Sequence, residues 1–513
     1  MNYKNLGKLL GKILVLEGLL MLAPLIVSFI YGESAKEKLA FLIPILALLG
    51  IGGALQALKP QRAFLYQKEG FALVALAWIV MTLFGALPFV INGDIPNYID
   101  ACFEIMSGFT TTGASVVADV TLLAHSSLFW RSFSHWIGGM GILVFILIFI
   151  PESDEGSSMH LLRAESAGPQ VGKLVSKMKV TTRILYLIYF GMTVAEVVIL
   201  MLAPSIPGYE NDKLFYSILA SFGCAGTGGF GFIPGSIELF PAFSQYVMAV
   251  FMLLFGCNFA LYYLILIGNV KAVLKSEELR AYLLIIVIAV ALVFFGLIGS
   301  LQDFSQVYTG EEAFRHAFFQ VSSILTTTGY TTTDYQLWPT LSASVLLILM
   351  FFGGMAGSTA GGIKISRVMI AVKGFYINIR KLINPRYVPK AKFEGKTLSD
   401  GTMSGVFLHI TFYFLLLLFV TLALSLDPVG GKAFTVVSDG GEYEVTHGIL
   451  TNFTAAYSAL SNIGPGFEAV GPYASFAAYS GVSKILLTLT MLVGRLEILP
   501  VFVLFSTKTW KNS

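Results

Sequence analysis

Apolar runs recur along the whole chain, at about residues 9–31, 39–58, 71–92, 127–150, 182–203, 243–268, 281–300, 341–363, 405–426 and 482–505. A bilayer-crossing helix needs roughly 17–25 such residues. The pattern therefore predicts ten spans, with 341–363 set apart by its glycines. From the third run onward the spans pair. Between the members of each pair lies a moderately apolar segment too short to cross: Tyr98–Ser115, Leu214–Phe232, Glu311–Thr333 and Glu444–Phe467. Each predicts a short helix that ends in a glycine turn. The first residues, MNYKNLGKLLGKILVLEGLLMLAPL, have the basic start and apolar run of a signal peptide. That run continues past Pro24 to Tyr31 without a small-x-small cleavage site, so a retained helix is expected.

The four turns carry the argument. Their contexts are FTTTGAS (Phe109–Ser115), CAGTGGF (Cys224–Phe230), LTTTGYT (Leu325–Thr331) and LSNIGPG (Leu460–Gly466). On this reading Gly113, Gly228, Gly329 and Gly464 hold one place in four units, the long-period self-similarity that marks an internal repeat. Any one of them alone reads as an ordinary Gly/Thr turn. Glycine suits the position because it takes positive φ freely and adds no side chain where backbones converge. At membrane depth, non-helical backbone survives only where protein buries it or where it lines a wet cavity. A helix, a re-entrant Thr/Gly turn and a second helix is one way to aim carbonyl oxygens at a dehydrated cation.

Composition and charge narrow the class. The chain is 56% hydrophobic and 12% charged, with mean hydropathy +0.78. Soluble chains carry roughly 25% charged residues, so this is a polytopic membrane protein. Basic residues gather in alternate loops: Lys4, Lys8 and Lys12; Lys59, Arg62 and Lys68; Arg163, Lys173, Lys177, Lys179 and Arg183; Lys271, Lys275 and Arg280; nine from Lys364 to Lys396; Lys508 and Lys511. The other loops are acidic in places, with Asp94, Glu210, Asp212, Asp303, Glu311, Glu312, Asp427, Asp439, Glu442 and Glu444. The positive-inside rule then puts both termini in the cytoplasm and brings all four turns in from outside. Ten spans with four amphipathic surface pieces would fit the charges equally well, but not the recurrence. Cys102, Cys224 and Cys257 have no metal or disulfide spacing. His125, His135, His160, His316, His409 and His447 form no ligand motif, and no nucleophile–base set emerges, so an enzyme is not expected.

With those motifs in view, the chain resembles the Trk/Ktr/HKT superfamily of potassium transporters, specifically its bacterial TrkH branch. The likeness covers about residues 60 to 513 and includes two extra N-terminal spans. It implies an all-α fold of four helix–pore-loop–helix repeats around one pseudo-fourfold pore. The units would be 1–62 (two N-terminal helices), 63–165, 166–275, 276–396 and 397–513. It also implies that carbonyls near Thr111, Thr112 and Gly113, Gly226, Thr227 and Gly228, Thr327, Thr328 and Gly329, and Asn462, Ile463 and Gly464 coordinate K⁺. Turns two and four depart from TTTG, which leaves the strength of K⁺/Na⁺ discrimination open. None matches TVGYG, so a long multi-ion filter is not implied. The basic inner loops suit anionic membrane lipid headgroups or a cytosolic partner; residence in the bacterial inner membrane, a homodimer and a cytosolic nucleotide-binding regulatory ring as that partner are further implications of the resemblance. Nucleic acid and an organic cofactor are not expected.

Below the third turn the chain reads FFGGMAGSTAGGIK (Phe351–Lys364). Gly353, Gly354, Gly357, Gly361 and Gly362, with Ser358 and Thr359 among them, suit a helix poorly at about 1 kcal/mol per glycine relative to alanine. The run lacks the Gly-Lys-Ser/Thr ending of a phosphate-binding loop. A tight helix-packing seam is one reading; an unwound intramembrane loop over 353–364, crossing the pore and able to gate it, is the favoured one and the family's. Arg495 sits mid-span, where a charge costs roughly 2.5–3.5 kcal/mol on insertion scales and demands a partner or water. Glu497 lies on a different helical face. A structural salt bridge is the plain reading; the resemblance makes Arg495 a positive barrier beside the pore. Glu104 and Glu468 either bias the entrance negative or serve packing and capping. Three functions compete: a gated K⁺-uptake pathway, a Na⁺- or H⁺-coupled secondary transporter, and a non-conducting scaffold. Secondary transporters often carry inverted repeats and membrane acids, whereas these repeats run parallel and the chief membrane acids, Glu17 and Glu196, suggest no relay.

Overall fold

The computed structural model describes residues 2–59, 67–141, 178–298, 308–384, 386, 391–438, 441–497 and 501. Arg62, Arg163, Lys173, Lys177, Lys390, Lys508, Lys511, Asp303, Asp439 and His160, and the far ends of the 127–150, 281–300 and 482–505 runs, lie outside them.

Among the described residues six helices are long and apolar enough to cross a membrane unbroken: Tyr3–Ile30, Ala35–Gln56, Glu69–Asn92, Thr182–Leu202, Glu277–Ile298 and Asp400–Leu424. The first two form an N-terminal pair. Gly11 and Gly52 let them touch backbone to backbone, since a Cβ on Gly11 would lie 2.7 Å from the Gly52 carbonyl oxygen. Small residues at such crossings permit the close approach on which helix packing in lipid depends. The other four are the lead helices of the repeats, one each. They carry exposed Leu83, Leu187, Val287 and Leu418, one on each, as lipid-facing surface requires.

Each lead helix is followed by a short helix: Tyr98–Phe109, Lys213–Gly226, Gly310–Leu325 and Ile449–Ser461. The third opens with a capping box between Thr309 and Glu312, which satisfies donors the first turn leaves over. The fourth starts later than Glu444, because Ala433–Ser438 and Gly441–Thr446 form an antiparallel hairpin just before it. Inward, these helices are almost wholly buried, the first, third and fourth in a core that holds Trp78 and Trp130, the second in one that holds Tyr189, Phe255 and Tyr330.

The second member of each pair is interrupted among the described residues. The tail helices are His125–Gly139, Ala242–Phe255, Thr340–Leu349 and Gly481–Arg495. None runs on as an unbroken span. Tail two turns by 91° into Phe259–Leu266, restarted by Asn258, whose side chain accepts the Ala260 N–H at 2.9 Å. Tail three stops at Leu349, and helix resumes only at Ile365. Tail one ends at Gly139, with Gly141 at φ +80°, and tail four at Arg495, with Glu497 at φ +58°. Hydropathy reports which residues tolerate lipid, not whether the backbone between them stays helical. Here a left-handed residue, a sharp bend or a glycine-rich run breaks it in each of the four repeats.

Candidate functional site: four turns and the loop against them

The four short helices stop in one conformation. Thr111, Thr227, Thr327 and Asn462 are left-handed, at φ +56°, +53°, +56° and +56°. The next residue donates its N–H five positions back each time: Thr112 to Ser107 (2.8 Å), Gly228 to Gly223 (2.9 Å), Thr328 to Ser323 (2.8 Å) and Ile463 to Ser458 (3.1 Å). This Schellman-type ending satisfies carbonyls that a helix terminus would otherwise leave over. It also fixes the register of the repeats. Two positions beyond each left-handed residue stand Gly113, Gly229, Gly329 and Gly464, so the second repeat aligns on Gly229, one residue past the expected Gly228. The CAGTGGF doublet hid this; the position of Thr227 relative to the helix end would have revealed it. Gly226 is the counterpart of Thr110, Thr326 and Ser461. In turns one and three the threonines bond alike: Thr110 to Thr112 and Thr326 to Thr328, each hydroxyl pair 2.8 Å apart.

These glycines interlock in a closed order. A Cβ on Gly113 would lie 3.1 Å from the Gly229 nitrogen, and one on Gly229 would lie 2.5 Å from the Tyr330 nitrogen and 2.6 Å from the Thr328 oxygen. One on Gly329 would strike the Ile463 carbonyl and sit 2.9 Å from Pro465 Cδ; one on Gly464 would lie 2.9 Å from the Thr112 oxygen. Turn one thus faces two, two faces three, three faces four, and four returns to one. Hydrogen bonds link the same neighbours: Arg131 Nη1 to the Gly231 carbonyl (3.0 Å), the Gly229 N–H to the Thr328 carbonyl, Tyr335 Oη to the Gly466 carbonyl (2.8 Å), and Asn462 Nδ2 to Thr112 Oγ1 (2.9 Å). Of the expected glycines, Gly113, Gly329 and Gly464 pack turn against turn, whereas Gly226 and Gly228 lie against His135 of tail one.

The residues Gly353–Lys364 are not helical, and they pack against it. The Gly361 N–H donates to Thr327 Oγ1 at 2.7 Å, and a Cβ on Gly361 would lie 3.0 Å from that of Asn462. Gly362 approaches Thr327 as well. The Gly353 N–H bonds the Ile363 carbonyl at 2.8 Å, so the two limbs cross where glycine leaves room. Gly354 and Met355 lie on the Gly256 carbonyl, Gly357 beside Asn258, and the Thr359 hydroxyl donates to the Phe255 carbonyl at 3.2 Å, all at the break in tail two. Ser358 Oγ donates to the Met355 carbonyl, and the buried Lys364 ammonium donates to that of Ala360. Arg495 completes the set. Its guanidinium donates to the Thr359 carbonyl at 2.9 Å and to the carbonyls of Gly138 and Gly139, joining the loop to the break in tail one.

Several side chains fall elsewhere. Glu104 is fully buried against Arg131 at 2.7 Å and also accepts from Ser115 Oγ and the Val116 N–H. It is therefore a brace within repeat one, not an exposed mouth charge. Arg131 was missed by the sequence reading, although a charge inside the 127–150 run was signal enough. Glu468 accepts the N–H and hydroxyl of Thr451 (3.0 and 2.7 Å), as a helix-start cap does. Glu497 pairs with Arg367. Glu196 lies beside Cys224 behind turn two, and Glu17 beside Gly85.

Comparison with known proteins agrees with this geometry. A family model described as a cation transport protein, TrkH, matches residues 37–512. The Trk system potassium uptake protein TrkG of Escherichia coli K12 is 33% identical over 98% of this chain and 97% of its own. Its counterpart TrkH from Vibrio parahaemolyticus is 32% identical over the full length of both. The crystal structure of the potassium transporter TrkH from Vibrio parahaemolyticus superposes with a TM-score of 0.83, at 29% identity, over the whole of both chains.

Proposed function

The chain belongs to the TrkH family of cation transport proteins, a family of multi-pass membrane transporters and not of enzymes, and on that premise we propose that it is a gated potassium uptake pathway. The observation that carries the reading is the closed order of the four glycine turns. Four backbone bends from one polypeptide, meeting around one axis, can offer a ring of carbonyl oxygens in place of a cation's hydration shell. K⁺ would bind among Thr111–Gly113, Thr227–Gly229, Thr327–Gly329 and Asn462–Gly464. Gly226 takes part through the helix end that aims the second of these.

Gating is assigned to 353–364. This segment touches turns three and four and the break in tail two, and Arg495 pins it to tail one. In place it would obstruct the path below the ring and put a guanidinium charge beside it. Its glycines supply the freedom to take a second arrangement. A homodimer in the bacterial inner membrane, with cytoplasmic termini and a cytosolic nucleotide-binding ring acting on the basic face, completes the proposal. Coupling to Na⁺ or H⁺ is the alternative.

The test is growth of potassium-uptake-deficient cells on low-K⁺ medium. The wild-type chain should restore growth, and Gly329→Asp should abolish the rescue while still reaching the membrane. Rescue by that variant equal to wild type would exclude the ring as the ion path. Rescue that vanishes when the Na⁺ or H⁺ gradient is collapsed, at constant membrane potential, would favour the coupled reading.

A further inference from the structure

We infer that Glu278 is the latch that holds the intramembrane loop in place, and that the hairpin Lys392–Thr397 is the handle through which this latch is set. The inference rests on the reading of 353–364 as a gate and names how its position would be controlled.

Glu278 is the second residue of the third lead helix and is 4% exposed. One of its carboxylate oxygens, Oε1, accepts two backbone N–H groups, from Ala356 at 2.8 Å and Ser366 at 3.1 Å. Ala356 lies on the entering limb of the loop, and Ser366 in the first turn of the helix that leaves it, Ile365–Ile383. A single oxygen thus clasps both ends of the segment. Leaving a buried N–H unmet is costly, so the loop would not leave this carboxylate without a substitute partner.

The same residue faces a second structure on its backbone side. The Glu278 N–H donates to Glu394 Oε1 at 2.9 Å, and that oxygen also accepts Ser276 Oγ at 2.8 Å. Glu394 therefore caps the start of the lead helix from another part of the chain. It stands at the tip of a two-residue hairpin turn, with φ +49°, followed by Gly395 at φ +72°. Positive φ at both positions is what a tight type I′ hairpin requires. Phe393 anchors the hairpin among Ile370 and Val406, and Lys373 ties it down by donating to the Lys392 carbonyl at 2.8 Å and pairing with Glu277. Lys392, Lys396 and Thr397 remain exposed. A continuous path thus runs from an exposed basic hairpin, through residues 276–278, to both limbs of the loop. A partner that drew the hairpin away would remove the Glu394 cap, shift Glu278, and free Ala356 and Ser366 together.

The experiment uses the full chain reconstituted in vesicles. It reads K⁺ flux, and hydrogen exchange of peptides covering 353–366, in wild type, Glu278→Ala, Glu278→Gln and Glu394→Ala. Glutamine keeps a carbonyl oxygen able to accept both N–H groups; alanine does not. The expected result is roughly tenfold higher flux and faster loop exchange in Glu278→Ala, near wild-type behaviour in Glu278→Gln, and a smaller change in the same direction in Glu394→Ala. Wild-type flux and exchange in both alanine variants would overturn the inference, as would a glutamine variant as leaky as the alanine one. Should Glu278→Ala not purify folded, the half-buried Glu394→Ala variant decides by exchange alone. Exchange that responds while no variant, Arg495→Ala included, conducts K⁺ would sink the gate reading and leave the latch standing.

Discussion

Gly229 shows how narrowly single positions are set. A Cβ there would lie 2.5 Å from the Tyr330 nitrogen and 2.6 Å from the Thr328 oxygen, both backbone atoms that cannot swing aside. Gly229→Ala should force turns two and three apart. The expected outcome is a protein destabilised by about 1–3 kcal/mol, seen as a lower melting temperature, together with weakened growth rescue on low K⁺. Arg495 is set by three carbonyls on two repeats. Removing its side chain should loosen the loop and take away a positive charge, so Arg495→Ala is expected to raise K⁺ flux in vesicles. Arg495→Lys should fall between, because one ammonium cannot span both carbonyl groups. Glu104 behaves differently. Breaking a buried pair strands the partner charge at a cost of about 3–5 kcal/mol, so Glu104→Ala should be lost chiefly at folding. Its membrane-inserted yield, more than the selectivity of what remains, is the quantity to measure.

At the scale of elements, each repeat answers one difficulty twice. A helix must end inside the membrane without stranding its carbonyls, and it does so first at the turn and again where the tail helix breaks. The third repeat carries this furthest, with no helix between Leu349 and Ile365. Turn and loop are joined there by the Gly361 N–H on Thr327 Oγ1. Thr327→Val keeps the shape and deletes the acceptor. The expected outcome is a loop that leaves the ring more readily, read as a several-fold rise in vesicle K⁺ flux with a modestly lowered melting temperature, since the Gly361 N–H loses its acceptor. Flux equal to wild type would mean that the loop's position does not depend on this contact.

If the four turns offer their carbonyl oxygens to one cation, as proposed, those dipoles would repel one another in its absence. Ion and fold should therefore be linked. Anything that binds the folded state alone stabilises it by RT ln(1 + [L]/Kd), about 2.7 kcal/mol at a hundredfold excess over Kd. The purified protein should melt at a higher temperature in potassium chloride than in choline chloride at equal ionic strength, and Gly329→Asp should abolish the difference. Equal melting in the two salts would count against an ion site in the ring.

The order of apolar runs, the basic loops and four Gly turns in matching places were all legible in the sequence, because each is a local property of composition and spacing. They determined a membrane protein with four like repeats, and three of the four glycines they marked, Gly113, Gly329 and Gly464, pack turn against turn. Three matters were decided only by the tertiary structure. Turn two takes its register from the shared left-handed residue, and CAGTGGF offers two adjacent glycines that only backbone geometry separates. The tail runs are broken helices, because hydropathy is blind to backbone direction. The partners of Arg131, Arg495 and Glu278 lie 16 to more than 350 positions away in sequence, and which distant group meets a buried charge depends on how the chain closes on itself.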